Sequence, residues 1–397
     1  MVTARSNLAG LVQDIGSDRF KKGNCIMSGA VDSVPSGDNA SHFTIPATEA
    51  GITVVLRRCY RHQVLMVVSC MICGMVSSES FGDTDLRKAI QKGLHRIESG
   101  ATRYPTNRDC FSCHHQAMAV LTLTVAQSHG YEVCAEVIQK QVEFTRQWLG
   151  SRIDQMKEGK GLPGRSVTAG YALLCLSRNQ SSPDEISDAL ITFLRVRQKQ
   201  GHWVASANRP PFENSAFTAT ALAIDGLQQY SQSVLLAPSR TSADKGLASK
   251  MVRQATAWLM TTFPKDNEDR TFRLWGLHAA GLSSDALKIY RDDLLQKQLE
   301  NGGFAQREGM SADAYATGQA LATLAMTGYP VRETSFKRGI RFLLDTQDKS
   351  GAWIVTTRSR PVQTFFDNGD PGNKSQFISF VATSWATLAL ILSEELP

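Results

Sequence analysis

The residues most suggestive of chemistry are Cys110-Phe-Ser-Cys113-His114-His115. The spacing Cys-x-x-Cys-His is the attachment pattern of c-type haem: two thiols add to the haem vinyl groups and the adjacent imidazole becomes an axial ligand. The same side chains suit zinc, with Cys110, Cys113 and His114 or His115 as members of a tetrahedral set. A disulfide across the two cysteines is a third reading in an oxidising compartment. Of the remaining cysteines, Cys134 and Cys175 sit on apolar helix faces and read as core residues.

A second polar group lies near the end of the chain. An insertion over 354–378 carries Arg358, Arg360, Gln363, Phe365, Phe366, Asp367, Lys374 and Gln376, and Gln306 and Arg307 belong to the same neighbourhood. Arginines paired in this way suit a carboxylate or phosphate, and helix N-termini favour anions. A long loop inside a repeat array is a functional feature or a mobile one. Asp313 stands alone at a helix start, where it serves either as an acid or as a helix cap.

Helices must position these groups. From residue 84 two kinds alternate. Charged, long helices with an apolar stripe cover 84–99, 131–149, 183–199, 244–262, 284–298 and 332–346. Ala- and Thr-rich helices, apolar nearly all round and therefore buried, cover 114–128, 166–177, 215–229, 270–280, 313–326 and 379–393. The joints between them repeat one phrase: Gln198-(x)2-Gly201-x-Trp203, Gln298-(x)4-Gly303-Phe304 and Gln347-(x)3-Gly351-x-Trp353. A recurring helix pair of this length is the mark of a repeat fold. Six outer and six inner helices predict an all-α, α/α6 toroid. Thr218, Thr317 and Thr383, each followed three residues on by Ala, align the inner helices, and the Thr hydroxyl is suited to a nearby backbone carbonyl.

The joint phrases resemble the QW motifs of terpenoid cyclases of the squalene–hopene type. Gly302-Gly303-Phe304-(x)8-Asp313-Ala-Tyr315 is similar to a pattern in protein prenyltransferase β subunits. The run from Asp313 to Gln319 and the tract from Arg358 to Trp385 resemble a bacterial squalene-cyclase-like group. The resemblance implies an α/α toroid over residues 84–397 that holds an isoprenoid chain; the candidate ligand residues are Gln306, Tyr315, Gln319, Arg358, Arg360, Gln363, Phe366, Lys374, Gln376 and Trp385, and a cyclase or isomerase with Asp313 as its acid is an alternative. In the cyclases the Gln and Trp side chains of these phrases brace the ring. The Asp-x-Asp-Asp acid of bacterial cyclases has its nearest analogues here in Glu213-Asn-Ser-Ala and in Asp313. Tyr315 occupies the place of the prenyltransferase zinc cysteine, so that metal site is not expected. Two alternatives remain: a carbohydrate-active α/α barrel, which needs paired carboxylates on inner helices, and a non-catalytic interaction scaffold.

The formal charge of +6 over 397 residues is scattered, with no basic stripe for nucleic acid. The expected partner is an apolar or isoprenoid-like small molecule, with peripheral membrane contact as an addition. Residues 1–55 are rich in Gly, Ser, Asp and Asn and read as disordered or as lying ahead of the true start. A basic stretch from 56, an apolar run over 64–76 and small residues up to 80 read as an export signal, or alternatively as a membrane anchor. This places the toroid domain at 81–397 in the periplasm or outside a bacterial cell.

Overall fold

Most of the inner helices are apolar nearly all round, so they fold only when walled in, and the chain achieves this by laying a second helix outside each one. The computed structural model describes residues 83–233, 242–360 and 364–394. The segments 1–55 and 56–80 lie outside the described residues.

The outer layer consists of α1 (Asp83–Asn107), α3 (Ala135–Gly150), α6 (Glu185–Arg197), α8 (Ser242–Thr261), α10 (Ser284–Leu295) and α12 (Thr334–Thr346). The inner layer consists of α2 (Ala119–Ser128), α5 (Ser166–Arg178), α7 (Ala216–Ser233), α9 (Asn267–Ala279), α11 (Ala314–Met326) and α13 (Gln376–Ser393). A π-helical turn, Cys113–Met118, leads into α2, and a short α4 (Ile153–Lys157) follows α3. Inner helices pack in the order α2, α5, α7, α9, α11, α13, and α13 returns to pack on α2, which closes the ring. Each outer helix lies on an inner one, and α1 is clasped by α13. The whole is the expected all-α toroid. A two-stranded ribbon, β1 (Phe304–Ala305) with β2 (Ala312–Asp313), stands between α10 and α11.

Burial follows the sequence pattern. From Ala314 to Leu324 every residue of α11 is buried, as is nearly all of α13. Helix α13 has the length and hydropathy to cross a membrane, but most of it is enclosed by its neighbours as a core helix.

The repeated phrase is a joint. Gln347 Nε2 donates to Gly351 O at 3.1 Å and to Ala89 O of α1 at 2.9 Å. Gln298 does the same to Gly302 O and to Ser335 O of α12, and Gln198 to Gly201 O and to Met251 O of α8. Each Gln thus ties its own loop to the next outer helix. The indole N–H of Trp353 donates to Leu343 O and that of Trp203 to Leu194 O, each at 2.8 Å. Gly302 and Gly351 have φ of +84° and +86°, and a Cβ there would press on backbone atoms of Arg338 and Lys92. Only glycine combines that conformation with so close an approach.

Two of the differences from the sequence expectation bear on the ring interior. The threonine equivalent to Thr317 and Thr383 is Thr220, not Thr218: Trp203 N donates to Thr220 Oγ1 at 3.1 Å, as Phe304 N does to Thr317 and Trp353 N to Thr383. Thr218, half a turn away, faces the ring interior. Helix α9 starts at Asn267 rather than 270, because Asp266 accepts from Asp269 N and caps it.

Candidate functional site

Ring closure brings together the two segments that sequence separation kept apart. The π-helical turn holding Cys113, His114 and His115 packs on α13 and α1, and the 364–378 part of the insertion packs against them. The contact centres on Asp370. Its Oδ1 accepts from Arg103 Nη2 at 3.0 Å, and its Oδ2 accepts from Asn368 Nδ2 and from His115 Nε2, each at 2.8 Å. His115 Nδ1 lies 2.7 Å from His114 Nδ1. The approach of Asp370 requires Gly100, since a Cβ there would collide with Asp370 Oδ1 and with the Phe380 ring. Gln376 holds the loop from beneath, accepting from Asn368 N at 2.8 Å and donating to Phe366 O at 2.7 Å.

The electrostatics follow from burial. His115 is fully buried, stacked on Tyr104 at 4.8 Å and against Phe380 at 4.0 Å. Burial lowers its pKa, and the hydrogen bond to Asp370 opposes this only in part. His114 is lowered further, by burial, by His115 and by Arg209. Burial works to raise Asp370, but the bond to His115, with Asn368 and Arg103, outweighs it and holds the carboxyl below its usual range. Asp370 thus lies between the Arg103 guanidinium and the His115 ring, with the His114 ring next beyond it.

The cysteines are placed differently from one another. Both are free thiols. Cys113 is buried facing Thr168 and Glu213, and burial, then Glu213, pushes its thiol well up. Cys110 lies 3.6 Å from Tyr104 OH, in a groove with Pro105, Phe144 and Trp148. The two thiols therefore have different surroundings, Cys113 beside Thr168 and Glu213 and Cys110 beside Tyr104. Among the described residues, no group of three His, Cys, Asp or Glu side chains is disposed to hold a metal ion.

His114 forms part of the wall of a cavity of about 560 Å³ at the mouth of the ring. Phe212, Phe377, Ile378 and Val381 supply apolar walls, and Arg360, Lys374 and the Arg209–Glu213 pair lie at its polar margin. The His114 ring stacks on Phe377 at 5.0 Å. Glu213 is almost wholly buried, and burial raises its pKa although Arg209 pulls the other way.

Deeper in the ring the structure reveals an acid absent from the sequence reading. Asp266-Asn267-Glu268-Asp269 matches Asp-x-Asp-Asp except for Glu in the third place, which corrects the assignment of Glu213-Asn-Ser-Ala and Asp313 as nearest analogues. The three acids are used differently. Asp266 caps α9, and Asp269 accepts from Lys265 N at 2.8 Å and from Ser215 Oγ. Glu268 faces inward, accepting from Tyr315 OH and Thr218 Oγ1 at 2.8 Å and from Gln319 Nε2 at 3.0 Å. Burial raises its pKa to about 8, against the opposing pull of those three bonds. The helix begins three residues ahead of the expected 270, which carries Glu268 from the expected loop onto its first turn.

Asp313 itself caps α11, accepting from Ala316 N at 2.9 Å and from Gln306 Nε2 at 2.8 Å. Burial raises its pKa, and the two bonds counter this. Arg358 Nε donates to Gln306 Oε1 at 2.6 Å, so these residues form a chain Arg358–Gln306–Asp313. Of the expected ligand residues, Arg360 and Lys374 reach the cavity, Tyr315 and Gln319 hold Glu268, Gln376 supports the loop, and Phe366 packs on Phe377 at 5.2 Å. Trp385 is buried edge-on to Trp275 at 5.7 Å. Gln363 lies outside the described residues.

No family model and no curated protein matches this chain. Among solved structures, a glycosidase variant in complex with glucose has TM-score 0.52 at 11% identity, covering 80% of this chain and 99% of that one. A wild-type glycosidase gives 0.52 at 11% identity over 78% and 98%. The type II terpene cyclase MstE from Scytonema gives 0.47 at 14% identity over 78% and 98%, a level of likeness that bears on no detail of the site. What this chain shares with the glycosidases is the two-layer α/α ring.

Proposed function

We propose that the protein binds an apolar, isoprenoid-like molecule in the mouth cavity, with a polar or acidic end of the ligand held by Arg360 and Lys374. The observation that carries this reading is the composition of the cavity: aromatic and aliphatic walls with a few cationic groups at the margin. Such walls bury a hydrocarbon chain favourably, at about 25 cal/mol per Å². A sugar would find partners in Glu213, Thr357 and Ser359 but would leave Phe377, Ile378 and Val381 without apolar contact. Export through residues 56–80 belongs to this proposal, since it would place the toroid where membrane-derived isoprenoids are met. Calorimetric titration of the full chain with geranylgeraniol, geranylgeranic acid and glucose tests it. Saturable binding of the two isoprenoids, tighter for the acid, is expected; binding of glucose alone would overturn it.

A catalytic reading draws on a different observation, the inward-facing Glu268. A carboxyl with a pKa of about 8 is protonated at neutral pH and so is able to donate a proton, as a cyclase or isomerase acid must. Asp313 caps the start of α11 through Ala316 N, a structural role that Glu268 does not have. Incubation with squalene or a geranylgeranyl compound, followed by mass spectrometry of the products, tests this. Conversion that is lost in Glu268→Gln and kept in Asp313→Asn supports Glu268. The reverse pattern would assign the acid to Asp313.

A further inference from the structure

We infer that His114 is a proton acceptor aimed into the mouth cavity, with its ring set for that task by a relay of Arg103, Asp370 and His115. The relay fixes where each proton sits. Arg103 and Asn368 both donate to Asp370, so that carboxylate is an acceptor and requires N–H at His115 Nε2, 2.8 Å away. A neutral imidazole carries one N–H, so His115 Nδ1 bears a lone pair. His114 Nδ1, at 2.7 Å, must then be the donor between the two rings, with Ser112 Oγ beside it. The lone pair of His114 is left on Nε2, on a ring that lines the cavity and is held by stacking on Phe377. An acid orienting one imidazole, which orients the base, is the logic of a catalytic triad with one extra ring. In this arrangement His114 is the catalytic residue, and His115, Asp370 and Arg103 are positioning residues.

The matching substrate, resting on the ligand reading above, is an apolar molecule whose polar end carries a hydrogen made acidic by an adjacent unsaturated group: a phenolic O–H, or a C–H beside a carbonyl. In the step, the substrate's O–H or C–H bond breaks and its electron pair stays on the substrate. The proton bonds to His114 Nε2. The imidazolium charge is stabilised by Asp370 through His115, and the substrate anion lies near Arg360 and Lys374 at the cavity margin. The step needs no oxidant or further reactant.

The test uses the full chain labelled with ¹⁵N-histidine, without ligand, so that its outcome is independent of whether isoprenoids bind. Two-bond nitrogen–proton correlation spectra, assigned with His114→Gln and His115→Gln, report which ring nitrogen carries the proton. The expected result is Nδ1–H with bare Nε2 at His114, and Nε2–H at His115. Nε2–H at His114, or averaging of both forms, would overturn the inference. In Asp370→Asn, checked for folding by circular dichroism, the single tautomer at each ring should be lost. Acylation of His114 by diethyl pyrocarbonate should also fall on the order of tenfold, the scale of losing an orienting partner. An unchanged spectrum and rate in a folded variant would show that Asp370 positions nothing. If that variant does not fold, the wild-type spectrum still decides.

Discussion

The three Gln–Gly–aromatic joints and the seam around Asp370 do the same mechanical job, since both tie an inner segment to a neighbouring helix, but their polar groups end in different places. At the joints, the side-chain donors of Gln298, Gln347, Trp203 and Trp353 finish on backbone carbonyls. Nothing is left to react. At the seam the chain of bonds runs through side chains, Arg103 to Asp370 to His115 to His114, and ends on a ring facing a cavity. A joint used three times is a brace, whereas an arrangement built once, where the ring closes, is free to carry chemistry.

The contrast is open to perturbation, and the largest effect is expected at a joint. Trp353 is fully buried, so Trp353→Ala should cost about 3–5 kcal/mol in denaturant unfolding. A cost below about 1 kcal/mol would deny the joint its bracing role.

Next is the interior acid. Glu268 titrates near 8 when folded, against 4.5 in the unfolded chain, so the folded state holds the extra proton between those values. Stability should therefore fall as pH rises from about 4.5 to about 8, by up to about 1.4 kcal/mol per unit. Melting curves of Glu268→Gln should show a shallower decline over that window. Equal slopes in the two proteins would mean that Glu268 is not buried as an acid.

A smaller loss is expected at the ring's closing brace. Gln347→Ala removes the bonds to Ala89 O and Gly351 O, for about 1–3 kcal/mol of stability. The His114 tautomer should not change, and a coupled change would show that brace and seam are one unit. The smallest effect on stability belongs to the cavity margin. Phe365 is 46% exposed, so Phe365→Ala should alter stability by no more than about 0.5 kcal/mol. Isoprenoid affinity should fall about tenfold, or about 1.4 kcal/mol.

These regions also differed in how far they could be read from the sequence. The joints were legible because Gln, Gly and an aromatic recur at close spacing, and most inner helices because they are rich in Ala and Thr and poor in charge. Registration was harder. Thr218 and Thr220 sit two residues apart in a Thr-Ala-Thr run, and only packing shows that Thr220 meets Trp203 while Thr218 turns to Glu268. The acid run over 266–269 was present in the sequence but hidden by a Glu in the third place and a helix start set too late. The seam was not legible at all. His115 and Asp370 are 255 residues apart, and their contact exists only because α13 closes on α2.

The central claim, that the mouth cavity receives an apolar ligand, is tested most directly by an experimental structure of the full chain with geranylgeranic acid. The account predicts the hydrocarbon chain against Phe212, Phe377 and Ile378, with the carboxylate toward Arg360 and Lys374. An isoprenoid bound elsewhere, with the mouth cavity holding only water, would contradict it.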